Sequence, residues 1–386
     1  MSEWKRVKLK ELIREINERN KGEKVKRVLS ITNSKGFVSQ EEYFEGTVHS
    51  ANISNYKIVR KNQFAYNPSR VNVGSIDILK DYEEGALSPM YIVFEVDTTK
   101  LLPDYFKYYF QTNSFFENVK NSTQGSVRNS LSFKALSDFE YLLPTIEEQV
   151  KIVKILQKID CIIKKYGNLL EEKNKFSNSQ FIEIFKDVNK YKTLKEICEF
   201  VTVGIANSVT HAYRENGIVM LRNQNILINK LDDSDLIYID KEFANKYKNK
   251  ELLENDILAT RTGYPGIACL VPKKYEGSQT FTTLIARLKK DKNLNPIYIC
   301  HYINSKYGKQ FVNSNKVGIA QQNLGAKTFE LMPIKIPPIE LQNKFVNMVK
   351  LIDKEKKLLE EQIINYEKQK KGLMQKLLVG KVKMNV

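Results

Sequence analysis

Two polar segments of this sequence carry side chains that can read the edges of base pairs. Gly125–Lys134 aligns without gaps on Gly318–Lys327, which begins 193 residues further along the chain. In the major groove of DNA, arginine makes bidentate bonds to guanine, and asparagine or glutamine makes them to adenine. We therefore predict DNA contacts from these segments and from an arginine-containing loop ahead of each. The predicted DNA-binding residues are Arg70, Ser126, Arg128, Asn129, Lys134, Arg261, Tyr264, Gln321, Gln322, Asn323 and Lys327.

The polar tips of the two segments differ, whereas one lysine recurs. Lys134 and Lys327 are identical, which favours phosphate contacts, because such contacts position a protein without carrying sequence information. Different tips on one scaffold predict that each copy reads a different half-site. The alternative is that these are solvated loops that bind no ligand. The differing tips are Ser126, Arg128 and Asn129 in the first copy and Gln321, Gln322 and Asn323 in the second.

The sequence carries no recognisable catalytic motif. It has no G-x-G-x-x-G and no Walker loop, and Gly325–Thr328 only imitates the end of one. Asn67–Arg70 approaches the Asn/Asp-Pro-Pro-aromatic tetrapeptide of adenine methyltransferases but lacks the second proline and the ring. Three dispersed histidines and four cysteines without a C-x-x-C pair give no metal-ligand spacing. We therefore expect a protein that is not an enzyme and binds no metal or cofactor of its own.

Composition indicates a globular, basic protein of more than one domain. Its 386 residues are 42% apolar, and 62 lysines and arginines against 45 acidic residues give a formal net charge of +17. Such a charge suits a polyanion, although a merely soluble basic protein is the alternative. The first residues lack the apolar stretch of a signal peptide, and no run reaches the roughly 18 apolar residues of a membrane span. We expect a cytoplasmic protein with no membrane partner.

The chain contains an internal repeat with a spacing near 193 residues. Pro144–Gln149 matches Pro337–Gln342 at that spacing, and Asn62 matches Asn255. Several such matches occur in the same order along both halves, which predicts two copies of one unit. Further pairs are Ile159-Asp160 with Ile352-Asp353, Pro103 and Tyr105 with Pro296 and Tyr298, Gly74 with Gly266, and Leu9–Leu12 with Leu194–Ile197.

Each copy ends in a predicted long helix with a heptad stripe. Thr145 is a plausible N-cap for the first helix, and Pro337-Pro338 opens the second. A helix of about 40 residues, or roughly 60 Å, needs a partner to bury such a stripe. We predict an antiparallel coiled coil of the two helices; the alternative is two helices packed separately. The stripe consists of Ile152, Leu156, Ile159, Ile163, Tyr166 and Leu170, and of Phe345, Val349, Ile352, Leu359, Ile363, Tyr366, Leu373 and Leu377, with Lys356 and Lys370 interrupting the second row.

The globular halves show mixed patterns. Strand-like runs at Tyr91–Val96, Asn255–Thr260 and Gly266–Val271 alternate with helical patterns at Asp104–Phe110 and Pro296–Ile303. We predict an α+β fold of two repeated globular domains, each followed by a long helix. The predicted division is residues 1–144 and 188–336 for the domains, and 145–187 and 337–386 for the helices.

At full length the chain resembles the specificity subunits of Type I restriction–modification systems. The resemblance is carried by Pro337–Gln342 and Leu373–Lys381, which open and close the second helix. The second half also carries Gly217–Ile226, Asp256–Gly263 and Gln321–Leu324 in the family's order. The first half departs from this pattern, since it has Asn67–Gly74 where the second has Thr260-Arg-Thr-Gly.

The resemblance implies that each globular domain is a target recognition domain that reads one half of a split sequence in double-stranded DNA. The helices would set the distance between the two domains and dock two methyltransferase subunits. Restriction/translocase subunits would be further partners. S-adenosylmethionine, ATP and magnesium would then be held only by partner subunits. A bivalent DNA-binding clamp without methyltransferase partners is the alternative, and a stand-alone nuclease or methyltransferase would need a motif that the sequence lacks.

Overall fold

The computed structural model describes residues 4–33, 35–43, 52–123, 130–318 and 322–380. The chain divides into two compact units. Unit 1 comprises Met1–Asn168 together with Glu360–Val386, and unit 2 comprises Leu169–Leu359. Every helix within the described residues is too short or too polar to span a bilayer.

Unit 1 combines short strands with helices of different lengths. Its strands are β1 (Lys5–Lys8), β2 (Ile13–Ile16), β3 (Leu29–Thr32), β4 (Gly36–Ser39), β5 (Lys57–Arg60), β6 (Phe64–Tyr66), β7 (Ile76–Ile78), β8 (Glu84–Leu87), β9 (Ile92–Val96) and β10 (Glu140–Leu143). Its helices are α1 (Gln40–Tyr43), α2 (Pro103–Tyr109), α3 (Asn113–Thr123), α4 (Phe133–Ser137) and the start of α5 (Ile146–Phe185), with 3₁₀ turns at Leu9–Glu11 and Val71–Val73.

An antiparallel sheet in the order β2-β9-β6-β7 forms the centre of unit 1. The aromatic residues in these segments favour strand formation, because their side chains pack well on a pleated surface. Phe64 faces Phe94 across the β6–β9 pair, with ring centroids 5.3 Å apart, and Phe106 of α2 meets Phe64 edge-on. All three side chains are fully buried, so helix α2 closes the core over this sheet.

Within the described residues, unit 2 has more strands than unit 1. Its strands are β11 (Tyr191–Thr193), β12 (Cys198–Val203), β13 (Tyr213–Arg214), β14 (Ile218–Leu221), β15 (Ile226–Leu227), β16 (Lys230–Leu231), β17 (Ile237–Ile239), β18 (Ile257–Ala259), β19 (Ala268–Leu270), β20 (Gln279–Thr280), β21 (Leu284–Leu288) and β22 (Pro333–Lys335). Its helices are α6 (Leu194–Ile197), α7 (Lys241–Asn245), α8 (Pro296–Asn304), α9 (Lys306–Asn315), α10 (Ala326–Phe329) and part of α11 (Ile339–Leu377), with 3₁₀ turns at Thr210–Ala212, Asn223–Asn225, Lys248–Lys250 and Lys273–Tyr275.

The central sheet recurs in unit 2 as β12-β21-β18-β19, again antiparallel throughout. The first pair of the repeat, β1 with β10, recurs as β11 with β22. Asn62 and Asn255 both adopt φ 67°, a left-handed conformation that asparagine tolerates at turns. The α+β fold and the duplication predicted from the sequence are confirmed. Unit 2 adds a sheet in the order β13-β17-β14-β20, which the sequence patterns did not predict.

The long helices pack against each other within each unit. In unit 1, Asp160 of α5 pairs with Lys370 of α11 at 2.7 Å, and Tyr166 packs on Tyr366. In unit 2, the ammonium of Lys173 lies 2.6 Å from the Glu355 carboxylate. Residue numbers rise along α5 as they fall along α11, so the helices are antiparallel. The predicted coiled coil is confirmed, and Lys370 interrupts the stripe because it pairs with Asp160.

Thr145 caps the start of helix α5, as the sequence predicted, and forms a capping box with Glu148. The Thr145 hydroxyl accepts a bond from the backbone N–H of Glu148 (3.3 Å), and the Glu148 carboxylate accepts one from the N–H of Thr145 (3.1 Å). These bonds satisfy donors that a helix start otherwise leaves unpaired.

A buried glutamine ties the start of each long helix to its own globular half. Gln149 and Gln342 are both 0% exposed. Gln149 Oε1 accepts a bond from the backbone N–H of Leu102 (2.7 Å), and Nε2 donates to the carbonyls of Lys100 and Pro144. Gln342 makes the same three bonds to Asn295, Asn293 and Pro337. This glutamine bracket explains why the Pro-x-Ile-Glu-x-Gln segment recurs.

Replacing Gln149 with alanine should lower the free energy of unfolding by about 2 kcal/mol, because it leaves a backbone N–H and two carbonyls without their partner. The matched control is Gln157→Ala, an exposed position on the same helix, which should change stability by less than about 0.5 kcal/mol. Urea denaturation of the three proteins measures the difference. Equal stability of Gln149→Ala and the control would contradict the role of the bracket.

Candidate nucleic-acid interface

Three segments of unit 2 converge around Arg261. They are the loop that follows β18, the segment that precedes α10, and the 3₁₀ turn Asn223–Asn225. The backbone N–H of Leu324 donates to the Arg261 carbonyl (2.9 Å), and Thr262 and Asn323 form an antiparallel bridge. Residues more than 60 positions apart in sequence therefore share one small polar surface.

Side-chain amides hold Arg261 from two directions. Its Nε–H donates to Oδ1 of Asn323 (3.2 Å), and its backbone N–H donates to Oδ1 of Asn223 (3.3 Å). The amide nitrogen of Asn223 in turn donates to the Thr262 hydroxyl (2.9 Å). The sequence patterns predicted Arg261 and Asn323 but missed Asn223, which acts here as a support for both Arg261 and Thr262.

Tyr264 projects from the loop between β18 and β19. It is 83% exposed, which is unusual for a large aromatic side chain. The Thr260 hydroxyl fixes this loop by donating to the Tyr264 carbonyl (2.6 Å) and accepting from the Ile267 N–H (3.0 Å). Gly266 closes the loop at φ 87° beside Val312, where a side chain would be strained. The tyrosine ring is thus presented to solvent on a well-supported turn.

The corresponding loop of unit 1 is built differently. The Leu131 N–H donates to the carbonyl of Pro68 (3.0 Å), as Leu324 donates to that of Arg261 in unit 2, so Pro68 stands at the position of Arg261. Arg70 is exposed two residues later, beside a cavity of about 260 Å³ that Asn33 and Tyr91 also line. Arg70 and Arg261 are therefore not positional equivalents, although they lie in equivalent loops. Arg70 lies between β6 and β7, and Arg261 lies between β18 and β19.

The remaining predicted residues divide into described and undescribed ones. Lys134 and Lys327 are exposed at equivalent positions in the first turns of α4 and α10, and within the described ranges neither forms an ion pair. Gln322 is half-buried, and its carbonyl accepts a bond from the Gly263 N–H (3.2 Å). Four predicted residues lie outside the described part of the chain: Ser126, Arg128, Asn129 and Gln321.

Comparison with known proteins decides the family. Residues 1–172 and 186–366 match the model of the Type I restriction modification DNA specificity domain. The chain belongs to this family. As a Type I specificity subunit, it supplies the DNA specificity of its restriction–modification complex and is not the catalytic subunit.

Relatives and solved structures agree with this assignment. The specificity chain is 24% identical over 334 residues to the Type I restriction enzyme MjaVIII specificity subunit of Methanocaldococcus jannaschii, which covers 81% of this chain and 77% of the relative. It is 22% identical over 309 residues to the EcoBI specificity subunit of Escherichia coli, covering 70% and 63%. A chain solved in a study of complex assembly and conformational transition of the type I R-M system shares its fold, with a TM-score of 0.64, 12% identity and 99% of both chains covered.

The buried cysteines of the specificity chain are structural. Burial raises the pKa of the Cys198 and Cys269 thiols to about 12, so both remain protonated at neutral pH and are poor nucleophiles. The described residues contain no group of three or more histidine, cysteine or acidic side chains that could hold a metal ion.

Replacing Lys134 or Lys327 with alanine should weaken DNA binding equally for specific and unrelated sequences. Each lost phosphate contact should lower the slope of log K against log salt by about one. The slope is measured by titrating labelled duplexes at several salt concentrations. As matched control, Lys306→Ala removes an exposed lysine of α9 and should leave the slope unchanged. A sequence-selective loss at Lys327→Ala would contradict a phosphate role.

Proposed function

We propose that this specificity subunit reads a bipartite DNA sequence, one half-site per globular half, and docks methyltransferase subunits through its paired helices. The observation that carries the proposal is one scaffold that presents different residues at the same loop position. The two central sheets have the same strand order, yet Pro68 occupies in unit 1 the position that Arg261 occupies in unit 2. A common frame with dissimilar tips suits two unlike half-sites.

The division of labour follows from this reading. Residues 1–144 and 188–336 would be the target recognition domains, and 145–187 and 337–386 the spacer helices. Two methyltransferase subunits, restriction/translocase subunits and double-stranded DNA would be the partners, and the cytoplasm the compartment. Only those partner subunits would bind S-adenosylmethionine, ATP and magnesium. The net charge of +17 supports a polyanionic ligand.

The proposal is tested by mapping methylated bases in the host genome with this gene present and deleted. We expect one split motif to lose methylation on deletion and to regain it on complementation. Persistence of every methylated motif, with the purified chain binding DNA as a monomer, would instead favour a bivalent clamp without methyltransferase partners.

Inserting seven residues into both long helices should lengthen the stretch of unspecified bases between the two half-sites, because the helices join the two globular halves. This stretch is the gap of the motif. Seven residues add about 10 Å, the length of three base pairs. The same methylation mapping measures the gap. As control, a conservative substitution at an exposed position of α5, Lys165→Arg, should leave it unchanged. An unchanged gap in the insertion variant would remove the spacer role of the helices.

A further inference from the structure

We infer that Arg261 reads a guanine in the half-site of unit 2, and that Asn323 positions the guanidinium instead of reading a base itself. This inference rests on the proposed function, because it names one base contact of a specificity subunit. It changes the role that the sequence patterns suggested for Asn323, which they grouped with the base readers.

The orientation of the Asn323 amide is fixed by chemistry. A guanidinium group only donates hydrogen bonds, so the atom facing Nε of Arg261 must be the amide oxygen. That bond, at 3.2 Å, uses the Nε–H donor of the guanidinium. Within the described residues the two terminal nitrogens have no hydrogen-bond partner, which leaves their pair of parallel N–H groups available to a ligand.

The backbone around both residues is also fixed. Asn323 exchanges two backbone bonds with Val317, at 2.9 and 3.0 Å, and the next residue, Leu324, donates to the Arg261 carbonyl. The Arg261 N–H is held by Asn223. An arginine that is already ordered loses less side-chain entropy on binding than a free one, so this arrangement favours a directed contact over a loose electrostatic one.

Guanine is the base that matches a pair of donors. Its major-groove edge offers two acceptors, O6 and N7, whereas adenine offers one acceptor and one donor. The terminal edge of Arg261 has no acceptor, so it would leave the adenine amino group unpaired. Unit 1 presents Pro68 at this position, so the guanine contact belongs to the half-site of unit 2 alone.

The test uses the full chain co-purified with its methyltransferase subunits and duplexes that carry the mapped motif. Each guanine of the two half-sites, on either strand, is replaced in turn by 7-deazaguanine, which lacks the N7 acceptor. We expect one replacement in one half-site to weaken binding by about 10- to 100-fold in the wild type and to have no effect in Arg261→Ala. Arg214→Ala, an exposed arginine of β13, is the control and should keep the wild-type response.

Two substitutions separate a positioning role of Asn323 from base reading. Asn323→Asp keeps an acceptor for Nε but has no donor, so it should retain the discrimination between guanine and 7-deazaguanine even if its charge lowers overall affinity. Asn323→Ala should lose most of that discrimination. If Asn323 itself read adenine, Asn323→Asp should lose binding to the motif as fully as Asn323→Ala, because adenine requires both a donor and an acceptor.

The outcomes distinguish the inference from the proposed function. If Arg261→Ala weakens all sequences equally and every 7-deazaguanine effect persists in it, Arg261 contacts phosphate and the inference is wrong. A half-site of unit 2 made only of A·T pairs would also overturn it. If the wild-type complex shows no preference for the mapped motif over a scrambled duplex, the proposed function itself fails.

Discussion

Replacing Asp256 with alanine is expected to destabilise unit 2 by about 3 kcal/mol, because the change leaves the half-buried guanidinium of Arg287 without its carboxylate and the Leu253 N–H without its acceptor. Asp256 is 2% exposed, and its carboxylate accepts two bonds from the Arg287 guanidinium, at 2.7 and 2.8 Å. It also accepts a bond from the backbone N–H of Leu253 (2.8 Å). The bond to Asp256 raises the pKa of Arg287. The arginine stays charged even when that bond is removed, because a guanidinium is not deprotonated in proteins.

Unit 1 provides a natural comparison for this pair. Gln63 takes the place of Asp256, and its side chain accepts from the Arg60 N–H (2.8 Å) as Asp256 accepts from that of Leu253. The turn is therefore supported in both units, and the buried charge pair is an addition in unit 2. Asp256→Asn should accordingly cost less than Asp256→Ala, because the amide oxygen still serves the Leu253 N–H.

Urea denaturation of the full chain measures both variants. The matched control is Glu276→Ala, which removes the partner of an exposed ion pair with Lys273 and should cost less than about 1 kcal/mol. A loss at Asp256→Ala as small as that of the control would show that Arg287 finds another partner.

Lowering the pH from 7.5 to 5 is expected to cost unit 2 about 2 kcal/mol through His301 alone. Burial lowers the pKa of His301 to about 4, an effect that Asp353 opposes and Lys356 reinforces. As the pH falls, the unfolded chain therefore takes up this proton at a higher pH than the folded chain does. The stability contributed by His301 is complete above its ordinary pKa of 6.5 and is lost as the pH falls towards 4.

The hydrogen bonds around His301 explain why its neutral form is required. Asn304 is oriented by the Ala268 backbone, so its amide nitrogen donates to Oδ1 of Asn229 (2.7 Å). The amide nitrogen of Asn229 consequently faces Nδ1 of His301, at 3.2 Å. A protonated ring would place two donors against each other there.

The pH effect is measured as the difference in urea stability between wild type and His301→Gln at pH 7.5 and pH 5. The glutamine oxygen can still accept from Asn229 but does not titrate. His211 is exposed, and His211→Gln, the matched control, should retain the wild-type pH dependence. If His301→Gln loses stability with acid as steeply as wild type, another group is responsible.

Regular patterns allowed much of the fold to be predicted. The offset near 193 residues correctly paired Asn62 with Asn255 and the two Pro-x-Ile-Glu-x-Gln segments, because a duplicated fold keeps its turns and brackets at constant spacing. The helix predicted at Pro296–Ile303 appears as Pro296–Asn304. The heptad stripe predicted the pairing of α5 with α11, since a stripe of that length has few other ways to be buried.

The candidate site was only partly predictable. Arg70 and Arg261 were both predicted because each lies ahead of a matching glycine, but the offset of 193 places Pro68 opposite Arg261, and the bond from Leu131 to Pro68 agrees with that correspondence. Asn223 was missed because its contact with Arg261 spans 38 residues of sequence. The contact of Asn223 with Arg261 is not local in sequence, so it does not follow from spacing or residue type.

The glutamine bracket also bears on how new specificities could arise. Gln149 and Gln342 each bind only backbone groups of their own half, and both lie near the first turn of a long helix. A genetic crossover in the middle of α5 would leave both brackets whole and join halves from different ancestors. Each globular half would thus keep the hydrogen bonds that anchor its own long helix, and only the contacts between the end of α11 and the rest of unit 1 would have to re-form between the new partners.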